Sequence, residues 1–448
     1  MAVSLPLPAS AELTEQQALD YSLNLIFSNL ATAREALAAL TAEEDPGLSH
    51  AVIHAMRFSL LPRSSLQAAL ESMVQSELDD EEAPQEWFEW MLWREQRDDL
   101  PVHPSYAEFQ RQMFARIDPR FLQFLPPDAA HDIRLEEIVW GGVSVDGIPA
   151  LTNPTLIEAA AADYLSGDDL VFGVEINGDA RAYPLRILNW HEMFNDVIGG
   201  VPVSLAYCTL CGAGILFDTT VEGYDEPFVF GSSGFLYRSN KLMYDTATRS
   251  LWNQFTGRPV VGPLTGSGIE LDIRPVAITS WESWQDQHPD TRVLSLETGF
   301  RRDYRPGAAY GDYFASPELM FPAALRDEAL EQKEFVFGIR APGGAKAWPL
   351  GAFAGGTVIN DRVGLIDVVL IGDEATRTVR AYRRGEFEFA AEDGDLSRLI
   401  GDGTSWTVTE EALVADDGRT LPREPGHVAF WFAWAGYLRD AELYEPSG

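Results

Sequence analysis

From Leu13 to Phe124 apolar residues recur at three- and four-residue intervals. The stretch "EQQALDYSLNLIFSNLATAREALAAL" puts Ala18, Leu19, Leu23, Ile26, Phe27, Leu30, Leu37 and Leu40 on one helical stripe. "SHAVIHAMRFSLL", "SSLQAALESMVQSEL", "PQEWFEWMLWREQ" and "SYAEFQRQMFARI" continue it, parted by Pro, Gly or acidic breaks such as "DDEEAP". This pattern predicts about five short helices. After about Ile138 the texture changes to short alternating or apolar runs punctuated by Gly, Asn, Asp and Pro. "LVFGVEINGDARAYPL" reads as strand, Asn-Gly turn, strand, a strong hairpin signal. "VPVSLAY", "GILFDTTV" and "PFVFGS" are further strands, and "SWESWQDQHP" is a helix. The expected class is α+β: an all-helical domain over 1–135, then mainly antiparallel β structure.

The β part repeats itself. "VFGVEINGDARAYPL" starts at Val171 and "VFGIRAPGGAKAWPL" at Val336, 165 positions later, without gaps. The same shift carries Asn195-Asp196 onto Asn360-Asp361 and Gly199 onto Gly364. "LDIRPVAITSWESWQDQHPD" from Leu271 matches "LPREPGHVAFWFAWAGYLRD" from Leu421, 150 positions later. Two matches in the same order point to a duplicated module. A first copy is expected over 136–300, a connecting segment over 301–335 and a second, degenerate copy over 336–448. The copies differ where reactive residues stand: His191 falls on Gly356, Cys208 on Asp373 and Cys211 on Thr376. Gly173, Pro184, Asn195 and Trp281 read as shared framework.

The chain has 448 residues, of which 46% are hydrophobic, enough for two or three domains with real cores. No run approaches 18 apolar residues, so no membrane span is expected. A net charge of −36 with no basic cluster argues against nucleic acid and anionic membrane surfaces as partners; a small molecule or a protein remains. The basic residues are nearly all arginine; the lysines are Lys241, Lys333 and Lys346. "MAVSLPLPASAELTEQQ" carries no basic region before an apolar stretch, so no leader is read there and the expected compartment is the cytoplasm. A structural disulfide is not expected in that compartment.

Both cysteines of the chain fall in "YCTLCG". A C-x-x-C turn can aim two sulfurs at one metal ion, but a closed site needs further ligands. His191 is the nearest imidazole, and with Cys208 and Cys211 it makes a plausible set for copper or zinc. Met243 could add a weak thioether if the metal is copper. Around these, Glu192, Asn195, Tyr207, Tyr237, Arg238, Asn240, Tyr244 and Asp245 are candidates for orienting the ligands or lining a pocket. The rival chemistry is a dithiol–disulfide couple at the same cysteines. It is weakened because "GAGILFD" after the motif reads as strand and not as helix. Two inert buried cysteines are the bland alternative. A third class of function is a non-catalytic interaction protein with the helical domain as its partner surface. His50 and His54, four apart on one helix, lack acidic company and read as structural.

The W-H-E, Y-C-x-L-C-G, S-G-x-L-Y-x-S-N and M-Y-D-x-x-T-x-S-L-W motifs, with "FRRDYRPGAAYGDYF" and "FWFAW" further on, resemble the prokaryotic domain-of-unknown-function family 3179 over about 138–445. The helical region lies outside that likeness. Thr209 stands where many relatives carry Pro between the cysteines. Many relatives look exported or lipid-anchored, so the resemblance keeps export open for this chain.

Overall fold

The computed structural model describes residues 12–78, 82–321, 323, 329–438 and 440–445. Most of "MAVSLPLPASAELTEQQ" and the first residues of the acidic break lie outside these. The chain forms two compact units, Met1–Ala129 with Ile133–Ile138, and Ala130–Asp132 with Val139–Gly448. Among the described residues no helix is long and apolar enough to cross a membrane.

The first unit is helical. The long apolar stripe is two helices, Glu15–Phe27 and Leu30–Thr41, because Asn29 interrupts it: its side chain accepts from the backbone N–H groups of Ala31 and Thr32 and starts the second helix. Thr14 and Gln17 form a reciprocal capping box at the start of the first helix. Ser49–Phe58, Arg63–Met73, Trp87–Gln96 and Tyr106–Ile117 follow. Ser49–Phe58 is buried along nearly its whole length, which forces its two histidines to find partners. Arg94 donates to His50 Nε2 from Nε at 3.0 Å and Nη2 at 2.8 Å, and His54 Nε2 lies 3.0 Å from the Tyr106 hydroxyl. Burial, with Arg57 nearby, lowers the His54 pKa to about 3, so that ring is neutral. Both rings act inside the helical core.

The second unit is mostly antiparallel sheet. Strands β1 (Leu170–Ile176) and β2 (Asp179–Pro184) form the Asn-Gly hairpin, and a helix, Leu185–His191, leads to β3 (Met193–Ile198), β4 (Val201–Cys208) and β5 (Ala213–Asp218). A second set follows: β6 (Phe335–Ala341), β7 (Gly344–Pro349), β8 (Thr357–Val363), β9 (Ile366–Asp373) and β10 (Thr378–Arg383). Pairing registers in the two sets differ by the shift read from the sequence. Val171 faces Pro184 and Val336 faces Pro349. Ile198 faces Val201 and Val363 faces Ile366; Cys208 faces Ala213 and Asp373 faces Thr378. The strands Ala277–Ser280 and His427–Phe430 add to β1 and β6 with Ala277 opposite Gly173 and His427 opposite Gly338.

Side chains follow the same correspondence. Asn195 clamps the backbone of Phe230 through Nδ2 and Oδ1, and Asn360 clamps Phe389 likewise. Asp196 accepts from Tyr183 and Arg181, both at 2.7 Å, while Asp361 accepts from Trp348 at 2.9 Å and Lys346 at 3.0 Å. Gly173 lets the Trp284 ring lie on β1: a Cβ there would sit 2.2 Å from Cε3. Gly338 does the same for Trp434, at 2.1 Å from Cζ3. One apolar core runs through both sets, with Phe172, Tyr183 and Leu205 in it beside Phe337, Trp348 and Leu370. The sets are also interlocked: β5 lies against His427–Phe430, and β10 lies against Ala277–Ser280.

Candidate functional site

The end of β4 turns through a single 3-10 turn, Thr209–Cys211, closed by Gly212 at φ 60° before β5 begins. Such a turn needs a residue that tolerates the left-handed region, and glycine supplies it without a Cβ penalty. The turn brings the two thiols together: the sulfurs are 2.6 Å apart, and Cys208 and Cys211 are 2% and 0% exposed. Both are free cysteines. Cys211 Sγ also lies 3.2 Å from Asn240 Oδ1 and 3.4 Å from the Ser239 carbonyl. Both oxygens can only accept, so they favour the protonated thiol. Burial first, then the neighbouring Cys208 and the Glu192 carboxylate, push the Cys211 pKa well above the ordinary thiol range.

Glu192 organises the far side of the turn. It ends the helix Leu185–His191 in the left-handed region, at φ 54°, where its N–H bonds Leu188 and its carbonyl accepts from the N–H of Tyr207. A residue with a Cβ is uncommon there and held by its surroundings. Its carboxylate accepts from Thr209 Oγ1 at 2.7 Å, Tyr310 OH at 3.2 Å and Lys241 Nζ at 3.2 Å. Glu192 and Lys241 are both buried, so each charge depends on the other. The carboxylate, helped by burial, pushes the Tyr310 phenol up, and burial with the nearby thiols does the same to Tyr313. Tyr313 donates to the Leu210 carbonyl at 2.6 Å, tying the cysteine turn to the segment after 300. A cavity of about 480 Å³ lies beyond these tyrosines, with Trp190, Arg302 and Met320 in its wall.

The other sequence candidates fall elsewhere. His191 Nδ1 lies 2.8 Å from the Pro149 carbonyl and Nε2 lies 2.7 Å from the Tyr304 hydroxyl. Among the described residues no three His, Cys, Asp or Glu side chains form a group that could hold a metal, so His191 does not join the thiols in this geometry. Met243 packs with Met193, Phe217 and Trp252, in a different apolar cluster from the cysteines. Asp245 is a turn anchor, accepting from Thr248, Ser250 and Trp252. Tyr244 donates to Asp146 at 2.8 Å, and Asn195 is the backbone clamp already described. Tyr237 receives the Tyr437 hydroxyl on its carbonyl and the Arg238 guanidinium over its ring. Tyr207 packs its ring edge against Phe172. Of the polar candidates, Glu192 and Asn240 engage the cysteine turn directly. Sequence reading missed Thr209, Lys241, Tyr310 and Tyr313; the scarcity of lysine was the available signal for Lys241.

A family model described as "Protein of unknown function (DUF3179)" matches residues 145–441. The chain belongs to the DUF3179 family. No curated protein and no solved structure matches it. The cysteine turn, Glu192, Lys241 and both tyrosines all lie inside the DUF3179 region, and the helices up to Ile117 lie outside it.

Proposed function

We propose that this protein is a thiol–disulfide redox protein whose working pair is Cys208 and Cys211. The observation that carries the reading is the 2.6 Å approach of the two sulfurs on one tight turn. A disulfide bond is about 2.05 Å long, so side-chain adjustment closes the remaining gap. The co-reactant is a small disulfide. One cysteine thiolate attacks it and forms a mixed disulfide, releasing the first thiol. The second cysteine then loses its proton, attacks the first and releases the second thiol. Two electrons pass to the co-reactant and the pair is left as an intramolecular disulfide. Burial of both thiols favours a small partner over a protein one. The cavity behind Tyr310 and Tyr313 is the approach consistent with that size. Copper or zinc comes second, because the turn supplies two sulfur donors and His191 would have to leave Pro149 and Tyr304 to supply a third.

We also infer that the two strand sets are copies of one duplicated unit, about 136–300 and 336–448, the second without the redox pair. The shared registers, the paired Asn and Asp contacts and the Gly–Trp packing support this. The test of function is equilibration in glutathione buffers of graded potential, with alkylation and mass reading. Both thiols are expected to disappear together in a two-electron step. Thiols that stay free under oxidised glutathione, or one zinc bound per chain by the reduced pair, would overturn the reading.

A further inference from the structure

A second cavity, of about 300 Å³, lies between the two strand sets. Its wall is mostly apolar: Leu170, Leu185, Ile278, Phe314, Phe335 and Phe430. Two cations reach it, Lys333 and Arg377, and among the described residues no Asp or Glu lines it. In a chain of net charge −36 this is an inversion of the local sign. Lys333 Nζ is bonded to the backbone carbonyls of Tyr313 and Ser316, and neither is an anion. The Arg377 guanidinium faces the Phe335 ring, 4.2 Å from its centroid, with no carboxylate partner among the described residues. Burial lowers the pKa of both groups, the mark of charge held without full compensation.

The backbone under Arg377 adds an independent observation. Arg377 sits at φ 55°, in the left-handed region. The matching position of the first strand set is Gly212, at φ 60°, which also lines this cavity. One turn therefore fills its left-handed position with glycine. The other places there a long cationic side chain that the conformation disfavours. A strained residue persists where the surroundings fix it, and such residues gather at ligand sites.

We propose that this cavity binds a small monocarboxylate with an apolar body. The apolar wall takes the hydrocarbon part, the Arg377 fork takes the carboxylate through paired N–H···O bonds, and Lys333 adds a second positive charge. Inorganic anions lack the apolar part, and neutral alcohols lack the charge. The proposal goes beyond the redox reading and does not depend on the state of the cysteines.

The test is calorimetric titration of the full-length protein with octanoate, 1-octanol and acetate. Octanoate is expected to bind at one site per chain, at least about 10-fold tighter than 1-octanol, with no measurable binding of acetate. Arg377→Asn keeps a residue that tolerates the left-handed region and removes the charge. It is expected to weaken octanoate about 10-fold or more while leaving 1-octanol unchanged. Lys333→Gln is the second variant, used if the first does not fold, and is expected to weaken octanoate several-fold. Failure of octanoate to bind at about millimolar concentration, equal affinity for octanoate and 1-octanol, or undiminished octanoate binding in the folded variants would overturn the proposal.

Discussion

The turn after β4 and the turn after β9 occupy the same place in two strand sets of matching register, yet their surroundings differ. At the first, Cys208 and Cys211 are sealed inside an apolar cluster that includes Trp431 and Trp434. At the second, Asp373 and Thr376 line an open cleft of about 480 Å³, together with His288, Arg380 and Glu410. Burial decides which chemistry each turn can hold. A closed apolar site raises the pKa of the Cys211 thiol and holds it against Cys208. An open polar one tolerates a carboxylate, and Asp373 spends an oxygen on the N–H of Ala375. The framework residues repeat, and the reactive ones do not.

The strongest test of that contrast is Glu192→Ala. Lys241 would be left buried without its carboxylate partner, a loss expected to cost about 4 kcal/mol of stability. The residue at the matching place in the second set is Thr357, and Thr357→Ala should stay within about 0.5 kcal/mol. Urea midpoints check both, and similar losses at the two positions would break the distinction. Next in size are Gly173→Ala and Gly338→Ala. Each drives a methyl into an indole ring and should cost about 3 kcal/mol. A tolerated substitution at one site alone would mean that the two strand sets do not share their packing.

Stability should also depend on pH from opposite ends of the two regions. The raised Cys211 pKa means that the unfolded chain releases this proton first. Stability is therefore intact below about pH 8.5 and falls as pH rises beyond it, by about 1.4 kcal/mol per unit for one group. Burial alone would raise Glu410, but Arg380 and Arg423 outweigh it and hold it well below the usual carboxylate range. Its contribution is present above about pH 4.3 and is lost as pH falls below that. Denaturation midpoints in reductant, compared with Cys211→Ala and Glu410→Gln, should lose the alkaline and the acid slope respectively. The smallest expected effect is from the Asp373→Cys, Thr376→Cys double variant. It should cost about 1 kcal/mol, for the lost bond to Ala375, and form a disulfide under mild oxidation. Two thiols that stay apart there would show that the turns differ in backbone geometry.

The strand pairing was legible because alternation and an Asn-Gly turn are local, and the sequence match between Val171–Leu185 and Val336–Leu350 extended it across the second half. The helical stripe over 15–41 was legible as helix but not as two helices, since the break at Asn29 is a capping effect within an unbroken pattern. The cysteine turn stood out by rarity. Its company did not: Lys241, Tyr310 and Tyr313 arrive from distant segments, and only tertiary packing decides their neighbours. Asp245 was read as a pocket candidate, yet its carboxylate is spent on its own turn, and a side chain that stabilises its own turn looks, in sequence, like one that awaits a ligand. The partners of the His191 ring, Pro149 and Tyr304, come from distant segments and could not be read from the sequence.

The interlock of the two strand sets has a consequence for synthesis. The cluster that encloses Cys211 includes the helix Trp431–Tyr437, more than two hundred residues further along the chain. At roughly 5–20 residues per second, tens of seconds pass on the ribosome before that helix exists. Through this interval the thiols lack their final cover and meet whatever oxidant, reductant or metal the surroundings hold. A chain labelled with a thiol-alkylating reagent during synthesis should therefore react at Cys208 and Cys211 before Trp431–Tyr437 has been made, and much more slowly afterwards.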